Sequence, residues 1–270
     1  MLALLALRKP LRAAFGAGAC YAAWTAVPVA LLATLLPAAV ADAPVAPLAI
    51  IGVPMWMLAA EVPHSAGPDT ASLACIAWIV GCLLFAGHLA WQQYRFVRGL
   101  GGIKSNGDGL LLADAVAGLP AVIGLWKPRI VLPADALSRY DAAERGLMLA
   151  HEREHIARGD LIANAFVAAL RCLFWFNPLL HIAARRFRDD QELACDQRVI
   201  ARHPQERRAY GEAMLKTQMA AGTLPLGCHW GQSHPLKERI EMLKQPLPSN
   251  MRRTAGRVLV IAILSASGYA

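Results

Sequence analysis

The stretch His151-Glu152-Arg153-Glu154-His155 decides how this chain is read. Two histidines four positions apart on a helix share one face, one turn from each other. Two neutral imidazoles so arranged suit a zinc ion. Glu152, beside the first histidine, stands where a general base would take a proton from a zinc-activated water. The flanks predict the helix. Asp141 and Glu144 form a D-x-x-E capping box upstream. Leu147, Met148, Ala150 and Ile156 supply an apolar face, and Gly159 is a stop signal. A helix over Asp141–Arg158 follows, with Arg153 and Glu154 expected in solvent.

Beyond Gly159, Asp160 is suited to cap a second helix running toward Phe176. Asn177-Pro178 then reads as an N-cap followed by proline in the first turn of a third helix, about Leu179 to Ala201. A catalytic zinc usually takes three protein ligands plus water, so two histidines leave the shell incomplete. The third helix carries Asp189-Asp190-Gln191-Glu192-Leu193-Ala194-Cys195-Asp196. Glu192 is the leading third-ligand candidate, with Asp189, Asp190 and Glu206 as rivals. Asp196 is suited to orient a ligating imidazole as an outer carboxylate. A plain alternative is a solvated acidic face interleaved with Arg185, Arg186, Arg188 and Arg198. Upstream, Ala121–Ile123 and Arg129–Leu132 read as two strands of a hairpin around Trp126-Lys127-Pro128. That hairpin either holds an extended substrate on an edge strand or covers the motif helix as a flap. Gly99 to Gly109 reads as a glycine-rich linker.

Composition adds a membrane. Of 270 residues, 56% are hydrophobic and 17% charged, against about a quarter charged in soluble domains. Apolar runs span Ala17–Ala41, Thr70–Trp91 and Val258–Ala270, and crossing a bilayer takes about 20 residues. The last run is short for a span and is expected to be cut short. Met1–Leu7 reads as the tail of an upstream helix, with a signal peptide as the weaker alternative. The net charge of +8 lies largely on the flanks of these runs: Arg8, Lys9 and Arg12, then Arg95, Arg98 and Lys104, then Arg252, Arg253 and Arg257. Residues 42–69 carry no Lys or Arg. The positive-inside rule then puts residues 42–69 outside and residues 95–257 in the cytoplasm. The basic balance is accounted for without nucleic-acid binding. The six cysteines form no CxxC pair and read as free thiols. The expected architecture is mainly α. It comprises a membrane region over 1–98 with helices near 17–41 and 70–91, an α-rich zincin-like peptidase domain with a small β-hairpin over 99–251, and a C-terminal membrane helix over 252–270.

The motif set as a whole resembles the BlaR/MecR-type membrane metallopeptidases, the antirepressor sensors of β-lactam resistance and their relatives. The resemblance runs through His151 to Asp160, Phe174-Trp175-Phe176-Asn177-Pro178 and Glu192-Leu193-Ala194-Cys195-Asp196. Pro120 to Pro133 and His234-Pro235-Leu236-Lys237-Glu238-Arg239-Ile240 flank it. It implies a multi-pass zinc metalloendopeptidase in a bacterial-type inner membrane, with a cytoplasmic peptidase domain. It further implies His151, His155 and Glu192 as ligands and Glu152 as base. The substrate would be a protein, either a transcriptional repressor or the chain itself. Membrane lipid is a partner, and a homodimer is compatible with the sequence. Two departures stand out: the first of the family's four membrane helices is reduced to Met1–Leu7, and no Ser-x-x-Lys motif of a penicillin-binding sensor occurs. A general quality-control peptidase and a non-catalytic signalling module are the competing readings. His234 and Arg239 are candidates for substrate contact, with a packing role as the alternative, and His229-Trp230 is a weaker one. Phe174 to Phe176 are expected to pack in a core or at a membrane interface. His64 and His88 have no partner at ligand spacing, and His181 and His203 are expected as surface or core histidines.

Overall fold

The computed structural model describes residues 1–34, 69–105, 109–116, 118–221 and 236–269. It is mostly helical with one small sheet. At its centre is the motif helix, Ala142–Arg158, here α6 because five helices precede it. Both halves of the capping box form: Asp141 Oδ1 accepts from Glu144 N–H at 2.8 Å and Glu144 Oε2 from Asp141 N–H at 2.9 Å. Gly159 ends the helix at φ +70°, a left-handed conformation that glycine adopts without strain. Asp141→Ala removes one of these bonds and is expected to cost about 1 kcal/mol, read as a lowered midpoint of thermal unfolding.

The sheet has four short strands: β1 (Ile103–Ser105), β2 (Leu111–Ala113), β3 (Ala121–Ile123) and β4 (Arg129–Pro133), in the order β1-β2-β4-β3. The expected hairpin is β3 against β4, antiparallel, with Ala121 opposite Val131 and Ile123 opposite Arg129. Its turn needs Gly124 at φ +91°, where a Cβ would lie 2.6 Å from Lys127 O. The stretch read as a linker, Gly99–Gly109, contains β1. β3 is an edge strand and lies against α6.

Helices α5 (Ala136–Arg139), α7 (Asp160–Leu173), α8 (Pro178–Arg202), α9 (Arg207–Ala221), α10 (Leu236–Lys244) and α11 (Asn250–Tyr269) complete the C-terminal part. α8 begins as the Asn177-Pro178 signal predicts, with Asn177 Oδ1 accepting from Leu179 N–H at 3.0 Å. α6 is buried on two sides. Met148 joins a core with Ile130, Leu132 and Tyr140 from the sheet side, and Leu147 joins a second core with Val199, Ile200, Tyr210, Met214 and Leu243. Burying both adjacent residues fixes the roll of α6 and so the direction of its histidine face.

α4 (Thr70–Gly99) is, among the described residues, the one helix long and apolar enough to cross a bilayer. The several spans expected from the sequence are thus matched by a single one. The first expected span breaks at Trp24–Thr25 into α2 (Ala17–Ala23) and α3 (Ala26–Ala33), and residues 35–41 lie outside the described residues. α11 runs the full expected length but opens with Arg252, Arg253 and Arg257 inside the helix. Met1–Leu7 is the first half of α1 (Leu2–Phe15), which continues through Pro10.

Arg8, Arg12 and Arg252, read as membrane flanks, have partners within the fold. Arg8, 6% exposed, makes a two-pronged contact with Asp190 through Nε at 3.1 Å and Nη2 at 2.8 Å. Arg12 reaches Glu238 at 3.1 Å. Arg252 donates to Ala14 O at 2.6 Å, satisfying a carbonyl at the end of α1. α2 therefore packs on α8, and α1 reaches it through Arg8, across the residue 98/99 boundary drawn from sequence.

Candidate metal centre

His151 and His155 turn their Nε2 atoms toward each other at 3.0 Å, with ring planes 84° apart. Each Nδ1 is engaged on the far side. His151 Nδ1 lies 2.6 Å from Tyr210 Oη, which itself donates to Asp196 Oδ1 at 2.8 Å. A hydroxyl that spends its proton on a carboxylate accepts from the imidazole, so His151 carries its proton on Nδ1. His155 Nδ1 lies 2.6 Å from Asp160 Oδ2, a carboxylate that can only accept when ionised. Both tautomers are thereby set, and both Nε2 lone pairs face the same point.

Glu192, on the facing turn of α8, completes the triangle. Its Oε2 is 3.4 Å from His151 Nε2 and its Oε1 3.6 Å from His155 Nε2. Donors about 2.0–2.1 Å from a tetrahedral zinc stand about 3.3 Å apart, and the three separations of 3.0, 3.4 and 3.6 Å bracket that value. Glu152 Oε1 and Glu192 Oε2 are buried and make no hydrogen bond among the described residues. Unsatisfied oxygens of this kind are costly unless a cation or water serves them. The donor set therefore fits a zinc ion. Cys195 is a rival third ligand: its Sγ falls within 4.8 Å of the imidazole nitrogens. It already donates to His151 O at 3.3 Å, whereas Glu192 reaches both nitrogens with its two oxygens.

The field in the pocket favours positive charge. Burial would lower the pKa of both imidazoles, yet the surrounding acidic groups outweigh it. His151 ends well above its ordinary value, and His155, facing Cys195, Glu192 and Asp160, is raised to about 10. The same acidic surroundings are favourable for a divalent cation. Glu192 is pushed up by burial but ends below the usual carboxylate range because His155, His151 and Arg239 surround it. Glu152 moves the other way: burial raises its carboxyl, and the two histidines offset only part of the rise.

Two outer layers hold this arrangement, and neither is local in sequence. Asp196, 0% exposed, is gripped by Arg239 through Nε at 2.7 Å and Nη2 at 2.6 Å. Arg239 Nη1 also lies 3.4 Å from Glu192 Oε2. Arg239, a candidate for substrate contact, is 3% exposed and sits beneath the ligands. His234, its companion candidate, lies outside the described residues, as do His229, Trp230 and His64. On the other flank, Asp160 Oδ1 accepts from Tyr21 Oη at 2.9 Å, and Gln191 Nε2 donates to the same hydroxyl at 3.0 Å. Asp160 was expected as a helix cap. Gly159 takes that position, and the Asp160 side chain orients His155 instead. Tyr21 and Tyr210 carry no sequence signal separating them from core aromatics.

The remaining acidic residues have other partners. Asp190 takes Arg8 and the Trp24 indole N–H at 2.9 Å, and Asp189 pairs with Arg186 at 3.2 Å. Glu206 lies in a 3-10 turn, Pro204–Glu206, near His203. Glu154, expected in solvent, is 1% exposed and paired with Arg198 at 2.9 Å and with Arg202. A cleft of about 540 Å³ opens from Glu152, His155 and Glu192 to β3 and to Gln93 of α4. Replacing Asp160 by Ala leaves the His155 imidazole unanchored, and zinc affinity should fall about 10–100-fold in competition with a chromogenic chelator.

A buried helix pair bearing two imidazoles, a facing carboxylate and a spare carboxylate offers the groups that metallopeptidase chemistry uses. The chain belongs to the family described as BlaR1 peptidase M56, whose profile matches residues 1–243. Among curated proteins it is similar to the methicillin resistance mecR1 protein of Staphylococcus aureus, 37% identical over 100 residues, which cover 36% of this chain and 17% of that one. It is also similar to the regulatory protein BlaR1 of Bacillus licheniformis, 34% identical over 98 residues, which cover 36% and 16%. The matched stretch is thus about a sixth of the length of these relatives.

Proposed function

We propose that the chain is a membrane-bound zinc metalloendopeptidase of regulatory type, in which His151, His155 and Glu192 hold the metal and Glu152 is the general base. The observation that carries this reading is the convergence of the two Nε2 atoms at 3.0 Å with Glu192 at 3.4 and 3.6 Å. Zinc bound there supplies Lewis-acid activation of water and of the scissile carbonyl. Glu152 takes up the water's proton and passes it to the leaving amine, a task suited to a carboxyl whose pKa burial has raised. Asp196, Tyr210, Arg239 and Asp160 position the ligands. β3 offers the substrate an open strand edge along the cleft. The substrate is a folded or partly unfolded protein, a transcriptional repressor or the chain itself, consistent with a family that includes a named regulatory protein. The peptidase domain, residues 99–251, faces the cytoplasm of a bacterial-type inner membrane, with α4 as the span that anchors it.

Metal analysis of the full chain in nanodiscs tests this reading. Wild type should carry one zinc per chain, lose peptidase activity to a chelator and regain it with zinc. Glu192→Ala should lose the metal, and Cys195→Ala should keep it. Wild type without zinc sinks the proposal; the reverse pattern in the two variants transfers the third ligand to Cys195.

A further inference from the structure

The turn between α7 and α8 sits beside the middle of α4. Trp78 Nε1 donates to Leu173 O at 2.8 Å, and Cys82 Sγ lies 3.9 Å from the same oxygen. The Trp175 ring fills the space over Gly81, where a Cβ would meet it at 2.2 Å. The rings of Phe85 and His181 are 5.2 Å apart. From Leu161 to Ala184 the chain has a single Lys, Arg, Asp or Glu, which is Arg171. Its guanidinium is directed onto the Phe85 ring at 5.4 Å, and its Nε donates to His181 Nδ1 at 3.2 Å. Arg185, Arg186 and Arg188 follow at once. The turn nonetheless exposes large apolar groups: Phe176 is 58% exposed, Phe174 39% and Trp175 38%.

We infer that the α7–α8 turn is a re-entrant element inserted among the acyl chains of the bilayer, entering from the same face as the peptidase domain. The inference rests on reading α4 as a membrane span. Height along α4 is the first argument. Trp78 and Gly81 lie in the apolar run, while Gln93, twelve to fifteen positions on, lines the cleft of the metal site. Fifteen helical residues rise about 22 Å. α7 independently covers thirteen steps from Asp160, at the site, to Leu173, at the tip, or about 20 Å. The hydrocarbon core is about 30 Å thick. A site at the headgroup level therefore puts the tip past the bilayer centre.

Hydrogen bonding is the second argument. A turn at that depth must satisfy its own backbone, since no water is there to do so. Leu173 O takes the Trp78 indole, Phe174 O takes Asn177 N–H at 2.9 Å, and Trp175 O is bonded to His181 Nε2 at 2.8 Å. Asn177 Oδ1 takes Leu179 N–H. The Asn177 bonds are those of an ordinary helix cap, but a turn exposed to water does not need the Trp78 and His181 side chains. The third is continuity: Phe174 and Phe176 extend the apolar surface of α4, where Leu83 is 67% exposed and Leu84 71%. Lipid that coats α4 coats them too.

An environment-sensitive fluorescent amino acid placed singly at Phe176, at Leu84 or at Trp126 tests this in the full chain in nanodiscs. Trp126, 88% exposed in the β3–β4 turn, is the aqueous control. Each sample is titrated with iodide in water and compared with nanodiscs containing acyl-chain doxyl lipid. Phe176 and Leu84 should lose most of their emission to the doxyl lipid and little to iodide, with Trp126 the reverse. Leu84 quenched by lipid while Phe176 is quenched by iodide overturns the insertion and leaves α4 a span. Iodide quenching at Leu84 overturns the span itself. Protection of Phe176 from both quenchers overturns the lipid assignment in favour of a protein surface, such as a second copy of the chain.

Discussion

Glu152→Gln should keep its zinc and lose its catalysis. Glutamine has the size of glutamate and fills the same pocket, 2% exposed, but it has no carboxylate to take a proton. Oε1 of Glu152 has no hydrogen-bond partner among the described residues, so the substitution breaks no bond there. The proposed holders of the metal, His151, His155 and Glu192, are untouched. General acid–base catalysis contributes about 10²–10⁴-fold, and kcat/KM on a cleaved protein substrate should fall by that factor at unchanged zinc content. A Gln variant as active as wild type removes Glu152 from the reaction. One that loses both zinc and activity makes Glu152 part of the metal's support.

Arg239→Ala should be the most destabilising single change in the domain. It leaves Asp196 buried, with the Tyr210 hydroxyl at 2.8 Å and His151 Nδ1 at 3.3 Å still against it. Burial alone would push the Asp196 carboxyl up, and the Arg239 guanidinium is what holds it below the usual range. Stripping one partner from a buried ion pair costs about 3–5 kcal/mol. The chain Arg239–Asp196–Tyr210–His151 also orients a ligand, so zinc affinity should fall with stability, by about 10–100-fold. Thermal unfolding and metal competition measure the two losses. The double variant Arg239→Ala with Asp196→Asn removes both charges and should recover part of the stability. A loss under about 0.5 kcal/mol for Arg239→Ala, the range of ordinary surface changes, shows that the pair supports little.

What could be read from sequence was what is local. The capping box of α6 closes within three residues, Gly159 ends it in the next turn, and the two histidines are one turn apart. The β3–β4 hairpin was legible because its strands pair across a short turn. β1 was not, since three residues in a glycine-rich stretch are too few for periodicity to register. The partners of the charges were not legible for the opposite reason. Arg8 and Asp190 are 182 positions apart, and nothing near Arg8 says that it turns inward, so it counted as a membrane flank. Glu154 looked solvated because its partners, Arg198 and Arg202, lie on another helix. Asp160 fits the pattern of a helix cap, and only the fold brings it to His155 Nδ1. Tyr21 and Tyr210 look like any core aromatic until their hydroxyls are located.

The anchoring of the two histidines also sets a timetable. His151, Glu152 and His155 leave the ribosome together, and Tyr21 precedes Asp160 by 139 positions. Arg239 follows Asp196 by 43. While the chain is being made, the His155 side of the centre can be braced early, but the His151 side stays unbraced until Arg239 emerges. In that order the His151 side of the proposed centre is braced last, by an arginine that follows the histidine motif by more than eighty positions.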